Sequence, residues 1–300
     1  MVDFIHNNKD RYGVDAICRI LPIAASTYYR TLDLADNPEH RAKRDLHDEH
    51  HAEQIQRIWK ESSGRYGVRK VWQQLKREGY VIARCTVARL MQKLGIQGVW
   101  RGKNKQTTRS RDDQKRADDL VKRNFNADHP DQLWVSDFTY IQTHSGWVYT
   151  AFIIDVFSRA IVGWKVSTRM NTDMVLDALE QALHDRGMPK NVIHHSDRGV
   201  QYLSIRYTNR LEAANLRASV GTTGDSYDNA LAETVNGLYK TEVIEYLKAD
   251  WQGLADVQLA TLNWVDWFNK KRVHSALGYV SPFEFEAMYY DKINPLGQVA

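Results

Sequence analysis

Apolar residues recur at helical spacing through the first hundred positions and at strand spacing after Pro130, and this change of period sets the elements. Residues 13–30 (GVDAICRILPIAASTYYR) read as two short helices broken at Pro22, with Ala16, Ile17 and Ile20 on one face and Ser26 as a cap; Asn37-Pro38 ends the unit. Three amphipathic helices are predicted next. The first, about 51–61, turns Ile55, Ile58 and Trp59 inward and stops at Ser62-Ser63-Gly64. The second, about 67–78, buries Val71, Trp72 and Leu75 and stops at Gly79. The third, about 84–95, buries Val87, Leu90, Met91 and Leu94 and ends at Gly95. Helix, short glycine-containing break and helix is the helix-turn-helix pattern, whose last helix can enter a major groove. Arg84, Arg89, Gln92 and Lys93 fall on or near its outward face. A plain three-helix bundle would give the same apolar pattern.

Residues 101–123 (RGKNKQTTRSRDDQKRADDLVKR) are charged and nearly free of apolar side chains, which suits a linker or an arm that follows phosphates. Beyond them, Gln132–Thr143 alternates like a strand, His144-Ser145-Gly146 makes a hairpin turn, and Trp147–Asp155 and Ala160–Ser167 supply two further strands. An amphipathic helix over Thr172–Arg186, a short strand over Asn191–His195, a helix over 205–215, a strand over Arg217–Val220 and a long helix from Asp228 to about Glu245 complete the order β-β-β-α-β-α-β-α. That order predicts an α/β domain with a mixed sheet. Near the end, Trp251, Trp264, Trp267, Phe268 and Tyr279 accompany a helix with Leu259, Leu262, Val265 and Trp267 read as packing positions.

Over 300 residues, 43% hydrophobic and 26% charged side chains are values of a globular chain with room for about two domains. No apolar run approaches the ~18 residues of a membrane span, and the first residues lack the pattern of a signal peptide. Cys18 and Cys85, far apart, offer neither a disulfide framework nor a zinc knuckle and fit a reducing cytoplasm. The net charge of +4 conceals an asymmetry: residues 41–125 carry 22 Lys/Arg against 10 Asp/Glu, and the rest carry 19 against 27. A basic block joined to a mildly acidic one points to a part that holds a polyanion and a part with another task. Arg84, Arg89, Lys93, Arg101, Lys103 and Lys105 are the candidate DNA contacts of that block.

Three carboxylates carry the candidate chemistry. Asp137 sits mid-strand among Trp134, Val135, Phe138 and Tyr140, where an unpaired charge is costly. Asp197 follows a later strand at its C-terminal end, where α/β sheets place ligands. Glu233 lies on the long helix, 35 residues intervening after Asp197, with Lys240 seven positions further on. Converging, the three would repel one another unless hard cations such as a pair of Mg²⁺ ions joined them, and two ions ~3.5–4 Å apart serve phosphodiester exchange. Each acid taken singly reads more readily as a cap or a surface charge.

WVSDFTY at 134–140, HSDRGVQY at 195–202 and DNALAETVNGLYKTE at 228–242 together resemble the catalytic core of DDE transposases and retroviral integrases, and more narrowly the OrfB product of insertion-sequence family three. ICRILPIAASTYYR, GRYGVRKVWQQL, TVARLMQKLGI and FNKKRVHSALGYVSPFEF extend the likeness over nearly the whole chain. The resemblance implies an RNase H-like core with a mixed five-stranded sheet flanked by helices, preceded by an all-α helix-turn-helix region. It implies Asp137, Asp197 and Glu233 as a metal-binding catalytic triad, with Mg²⁺ (Mn²⁺ substituting) as cofactor, and Lys240 at the DNA end. The reaction implied is hydrolytic nicking at the element's end, followed by attack of the freed 3′-hydroxyl on another phosphodiester. A covalent protein–DNA intermediate through Tyr140, Tyr202 or Tyr227 would need an Arg/His set that the sequence does not supply. The partners implied are element ends and target DNA, an upstream OrfA-type product as fusion or partner, and further copies of the chain on DNA, in a bacterial cytoplasm at the nucleoid.

The divisions expected are an N-terminal helical segment (1–40), a helix-turn-helix domain (46–100), a basic linker (101–128), the catalytic core (129–246) and a C-terminal helical, aromatic extension (247–300). His47, His50 and His51, and His194-His195, lack the spacing of a structural zinc site, and His195 suits a role orienting Asp197. Asp155 reads as a strand end with Ser158 and Arg159 in the turn, or else as an extension of the acidic site; Asp228 and Asn229 read as helix caps. Asn269, Arg272 and His274 match a family motif whose role the residues alone do not give. Two rivals stand beside the transposase: a DNA-binding protein without catalysis, and a metal-dependent nuclease that cuts without joining.

Overall fold

The computed structural model describes residues 1–100, 121, 125–197, 199, 201–220, 230–247 and 250–294. The chain opens with α1 (Val2–Tyr12), α2 (Val14–Ile20) and α3 (Ala25–Asp36), packed around Ile5, Ile17 and Tyr28. Ile17 is buried as its spacing predicts, but Ile20 is exposed because the helix ends there, and Ala24 rather than Ser26 occupies the N-cap position of α3.

The next unit comprises α4 (Lys43–Glu61), α5 (Val68–Arg77) and α6 (Arg84–Lys93). The helix expected from 51 starts eight residues earlier, in a charged segment without the apolar rhythm that marks its end. Ile55, Ile58, Val71, Leu75, Val87, Leu90 and Met91 form the shared core. Trp59 and Trp72 close its ends, each indole N–H donating to a backbone carbonyl at 2.8 Å, of Gln97 and Ile82 respectively. An indole buried with its N–H satisfied contributes apolar area without an unpaired donor.

The sheet comprises β1 (Leu133–Thr143), β2 (Gly146–Asp155), β3 (Ile161–Ser167), β4 (Ile193–Ser196) and β5 (Arg217–Val220), in the order β3-β2-β1-β4-β5. The β1–β2 and β2–β3 pairs are antiparallel hairpins, and β4 and β5 add in parallel. This is the mixed five-stranded sheet expected. One face packs on α7 (Thr172–Asp185) and α8 (Ile205–Ala213) through Trp134, Ala151, Ile153, Leu179 and Leu183. A side chain at Gly163 would come within 2.2 Å of the Ala178 carbonyl, so the bare backbone at that position of β3 is what lets α7 approach.

The other face carries α9 (Ala230–Tyr239) and α10 (Leu254–Lys270), with α11 (Pro282–Ile293) closing the chain behind a Ser281/Glu284 capping box. The long helix expected to run to Glu245 changes at Lys240 into a π-helical turn, Lys240–Glu245. On α10, Val257, Thr261, Trp264, Val265, Trp267 and Phe268 face inward, while Leu259 and Leu262 are 60% and 51% exposed, so the inward stripe lies one step round from the one expected. Asp155 is fully buried and accepts from Ser158 N and Oγ (both 2.7 Å) and Asp131 N (2.9 Å); it closes a strand end and does not join the acidic site.

The C-terminal motif is a set of braces. Asn269 accepts from Ile161 N (2.9 Å) and donates to Ile161 O (2.8 Å), clamping α10 to β3. Arg272 pairs with buried Glu242 of the π turn at 2.6 Å, and the Trp264 indole donates to the same carboxylate at 3.1 Å. The helix-turn-helix unit docks against these braces. Arg65 donates to Glu242 O (3.0 Å), Tyr66 Oη donates to Lys271 O (3.3 Å) and accepts from Val273 N (2.8 Å), and Arg77 pairs with Glu284 of α11. Among the described residues no helix is long and apolar enough to cross a membrane.

Candidate active site

The parallel register of β1 and β4 ends on the pair Ser136–Ser196, so Asp137 and Asp197 are the next residues along two adjacent strands. Neighbouring strands lie ~4.8 Å apart and paired residues point the same way, which brings both carboxylates to one face at the C-terminal edge of β4. That face is the one covered by α9. Asn236 of α9 donates from Nδ2 to Asp137 Oδ2 at 2.8 Å, and Asp137 Oδ1 accepts from Phe138 N at 2.8 Å. Glu233 lies three residues before Asn236, one turn back on the same side of the helix, and is exposed. Behind Asp197 the chain turns so that Gly199 N donates to Asp197 Oδ1 at 2.9 Å.

Burial pushes the Asp137 carboxyl up to about 7; the charge of Asp197 adds to this and that of Glu233 contributes further, against the Phe138 and Asn236 hydrogen bonds. Burial also raises Asp197, opposed by the Gly199 N–H and by His195. Glu233 is raised by its partial burial. The structure therefore brings Asp137 and Asp197 together, with Glu233 close enough to act on Asp137 but set back: among the described residues no three His, Cys, Asp or Glu side chains are gathered around one point. Two half-buried carboxylates, the charge of Asp197 disfavouring that of Asp137, plus an Asn236 Oδ1 that is buried with no hydrogen-bond partner, form an all-oxygen donor set. Such a set fits a hard divalent cation.

Asn236 was not singled out in the sequence, although it lies inside a quoted motif; its three-residue offset from Glu233 on a helix was the available signal. His195, on β4, shares a 2.9 Å hydrogen bond with Ser219 Oγ and touches Asp197 through its charge. Tyr202 is buried, accepts from Ser136 Oγ at 2.8 Å, and has its hydroxyl pKa raised by burial, which keeps it protonated and unsuited as a nucleophile. Tyr140 is exposed and lies under Lys240, whose Nζ is 4.9 Å from the ring centroid.

Arg84, Arg89 and Lys93 are all exposed on α6, as their helical positions predict. Arg89 is also held by a bidentate pair with Asp48 of α4 at 2.8 and 2.9 Å. Arg101, Lys103 and Lys105, with most of the basic linker, lie outside the described residues, as do Asp228, Asn229 and Tyr227.

Residues 46–104 match the family described as an HTH-like domain, and residues 127–226 and 214–282 match two families each described as an integrase core domain. The chain is 52% identical over 293 residues to the transposase for insertion sequence element IS629 of Shigella sonnei, covering 98% of both chains. It is 31% identical over 289 residues to the transposase InsF for insertion sequence IS3A of Escherichia coli K12, covering 94% of this chain and 97% of that one. Among solved structures, it is similar to the HTLV-2 integrase catalytic core domain in complex with magnesium, at 18% identity and a TM-score of 0.44, over 54% of this chain and 99% of that chain.

Proposed function

Because this chain belongs to insertion-sequence family three of the DNA transposases, we propose that Asp137, Asp197 and Glu233 are the carboxylates with which it cuts and joins DNA. The observation that carries the proposal is the adjacent placement of Asp137 and Asp197 on β1 and β4 beneath the helix that bears Glu233. These three side chains would hold Mg²⁺ or Mn²⁺, two ions by the usual chemistry of phosphodiester exchange. When bound, the metal supplies Lewis-acid activation of the attacking hydroxyl and charge for the leaving oxygen.

The chain's own groups do the rest. The Phe138 and Gly199 N–H groups and the Asn236 amide fix the rotamers of Asp137 and Asp197 before substrate arrives. Such preorganisation avoids reorganisation at the moment of reaction. Lys240, two helical turns beyond Glu233, would take a phosphate or base of the DNA end, and Arg84, Arg89 and Lys93 would meet the duplex on the helix-turn-helix unit. Arg101, Lys103 and Lys105 would extend those contacts along the linker. An upstream OrfA-type product, fused or as a partner, would supply end pairing, several copies would assemble on DNA, and the site of action would be the bacterial nucleoid.

The test is cleavage and joining of DNA carrying the ends that flank the gene, with the wild-type chain beside Asp137→Asn and Asp197→Asn. Loss of both reactions with retained binding is the expected result. Unchanged products from either variant would contradict the assignment, and cutting without joining by the wild type would favour a nuclease.

A further inference from the structure

Tyr140 and Trp147 are large aromatic side chains that the fold leaves in solvent, at 44% and 49% exposure. They come from facing strands: Tyr140 pairs with Tyr149 and Gln142 with Trp147 across the β1–β2 hairpin, so the two rings are diagonal neighbours on one face. Their centroids are 5.3 Å apart with planes at 80°. Lys240 Nζ stands 4.9 Å from the Tyr140 centroid, a cation held against an aromatic ring. The hairpin tip beneath them is tied down by His144 N to Trp251 O (2.9 Å) and Ser145 N to Gln252 O (3.1 Å). Among the described residues, no strand pairs with β1 on its β4 side beyond the Ser136–Ser196 pair.

Exposed aromatics cost free energy in water, and here they are ordered and sit beside a cation from the turn that follows the Glu233 helix. Tyr140 is three residues along β1 from Asp137, about 10 Å at the ~3.3 Å rise of a strand; the odd step turns its ring to the other face of the sheet from Asp137, where Lys240, from the turn that follows the Glu233 helix, reaches it. Aromatic faces with an adjacent cation are what unpaired bases and their phosphates bind, and such stacking accepts any base.

We infer that Tyr140, Trp147 and Lys240 form a platform that stacks an unpaired base of the DNA end held by Lys240. The inference rests on the transposase reading for the position of the DNA. It adds a binding site that frays the end: the ring pair takes the displaced base and Lys240 neutralises its phosphate.

The test uses the full chain in EDTA, so that it reads binding and not chemistry. The probe is end DNA with 2-aminopurine placed one to four nucleotides from the cleaved 3′ end, in a frayed form and a fully paired form. Wild type should quench the frayed probe. Trp147→Ala and Tyr140→Ala should each lose the quench and weaken binding to frayed ends by roughly tenfold, while binding to paired DNA stays within about twofold; Trp147→Phe should restore it. Matching circular dichroism of the variants excludes misfolding. No quench by wild type, or a quench that survives both alanine variants, overturns the platform. A quench lost alongside concentration-dependent self-association lost in Trp147→Ala without DNA would assign the patch to contact between copies, and equally overturns it. Because no metal is present, failure of the carboxylate triad leaves this readout intact, and failure of the platform leaves the triad's cleavage assay intact.

Discussion

At the scale of single residues, the site depends on how Asp137 is kept usable. A carboxyl raised to about 7 by burial and by Asp197 carries a proton in the folded chain that the unfolded chain has already released above pH 4. Without metal, folding is therefore expected to weaken as pH rises from about 4 to 7, by up to a few kcal/mol. Thermal melts of the metal-free protein should show this slope, and Asp137→Asn should flatten it and raise the melting temperature at pH 7. Added Mg²⁺ should stabilise the wild type and not the variant. Asn236 opposes the same shift, so Asn236→Ala should drive the Asp137 pKa higher. A hydrogen bond to a charged group contributes ~1.5–3 kcal/mol, so the turnover number should fall about 10- to 100-fold with DNA binding unchanged. The acid limb of the pH–rate profile should move to higher pH; a profile that does not move would leave Asn236 with a packing role alone. Asp137, Asp197 and Glu233 were legible as a set, through the spacing and motifs that carry the family resemblance, because each acid alone reads as a cap or a surface charge. Asn236 was not, because an amide on a helix has many ordinary uses and its partner is 99 residues away.

At the scale of elements, strand order was legible from alternation and turn residues, and the boundaries agree to within two or three residues from Leu133 to Val220. Two features were not. The π turn at Lys240–Glu245 has no signature in local periodicity; it is where Glu242 meets Arg272 and Trp264 from a helix that follows in sequence. The α10 stripe differs from the expected one because Leu259 and Leu262 are apolar but exposed, whereas Thr261 and Asn269 are buried with their hydrogen bonds made. The Asn269 and Arg272 braces lead to definite expectations. Arg272→Ala leaves Glu242 as a buried unpaired charge and should cost about 3–5 kcal/mol in urea unfolding. Asn269→Ala strands the Ile161 backbone groups and should cost about 1–3 kcal/mol. If both variants unfold like the wild type, the motif has a role other than bracing.

At the scale of the whole molecule, a basic helix-turn-helix unit is fixed to a catalytic core through Arg65, Tyr66 and Arg77, so the DNA held by one is held in register with the other. Lys70 lies in that joint, where burial lowers its amine to about 7. Its folded pKa is below its unfolded one, so this part of the stability should increase as pH rises from about 7 towards 10. Neutralising the side chain with Lys70→Met should raise the melting temperature at pH 7 and remove that dependence. On the DNA side, Arg84→Ala and Lys93→Ala should each lower the salt slope of duplex binding by about one if they meet phosphates, as read by titration across 50–200 mM salt. The charge asymmetry made the division of labour legible; the docking that joins the parts was not, since it runs through a tyrosine hydroxyl and backbone groups far apart in sequence.

If Glu233 completes the set begun by Asp137 and Asp197, strand transfer from a pre-cleaved, labelled element end into target DNA depends on its carboxylate. Wild type and Glu233→Gln would be compared in Mg²⁺ and in EDTA, with the upstream product added to both. Joined product is expected for wild type in Mg²⁺ only, with at least about a thousandfold less for the variant, on the order of losing a charge-bearing catalytic group, and equal retention of end DNA by both. Joined product from Glu233→Gln at the wild-type rate would contradict that role of Glu233.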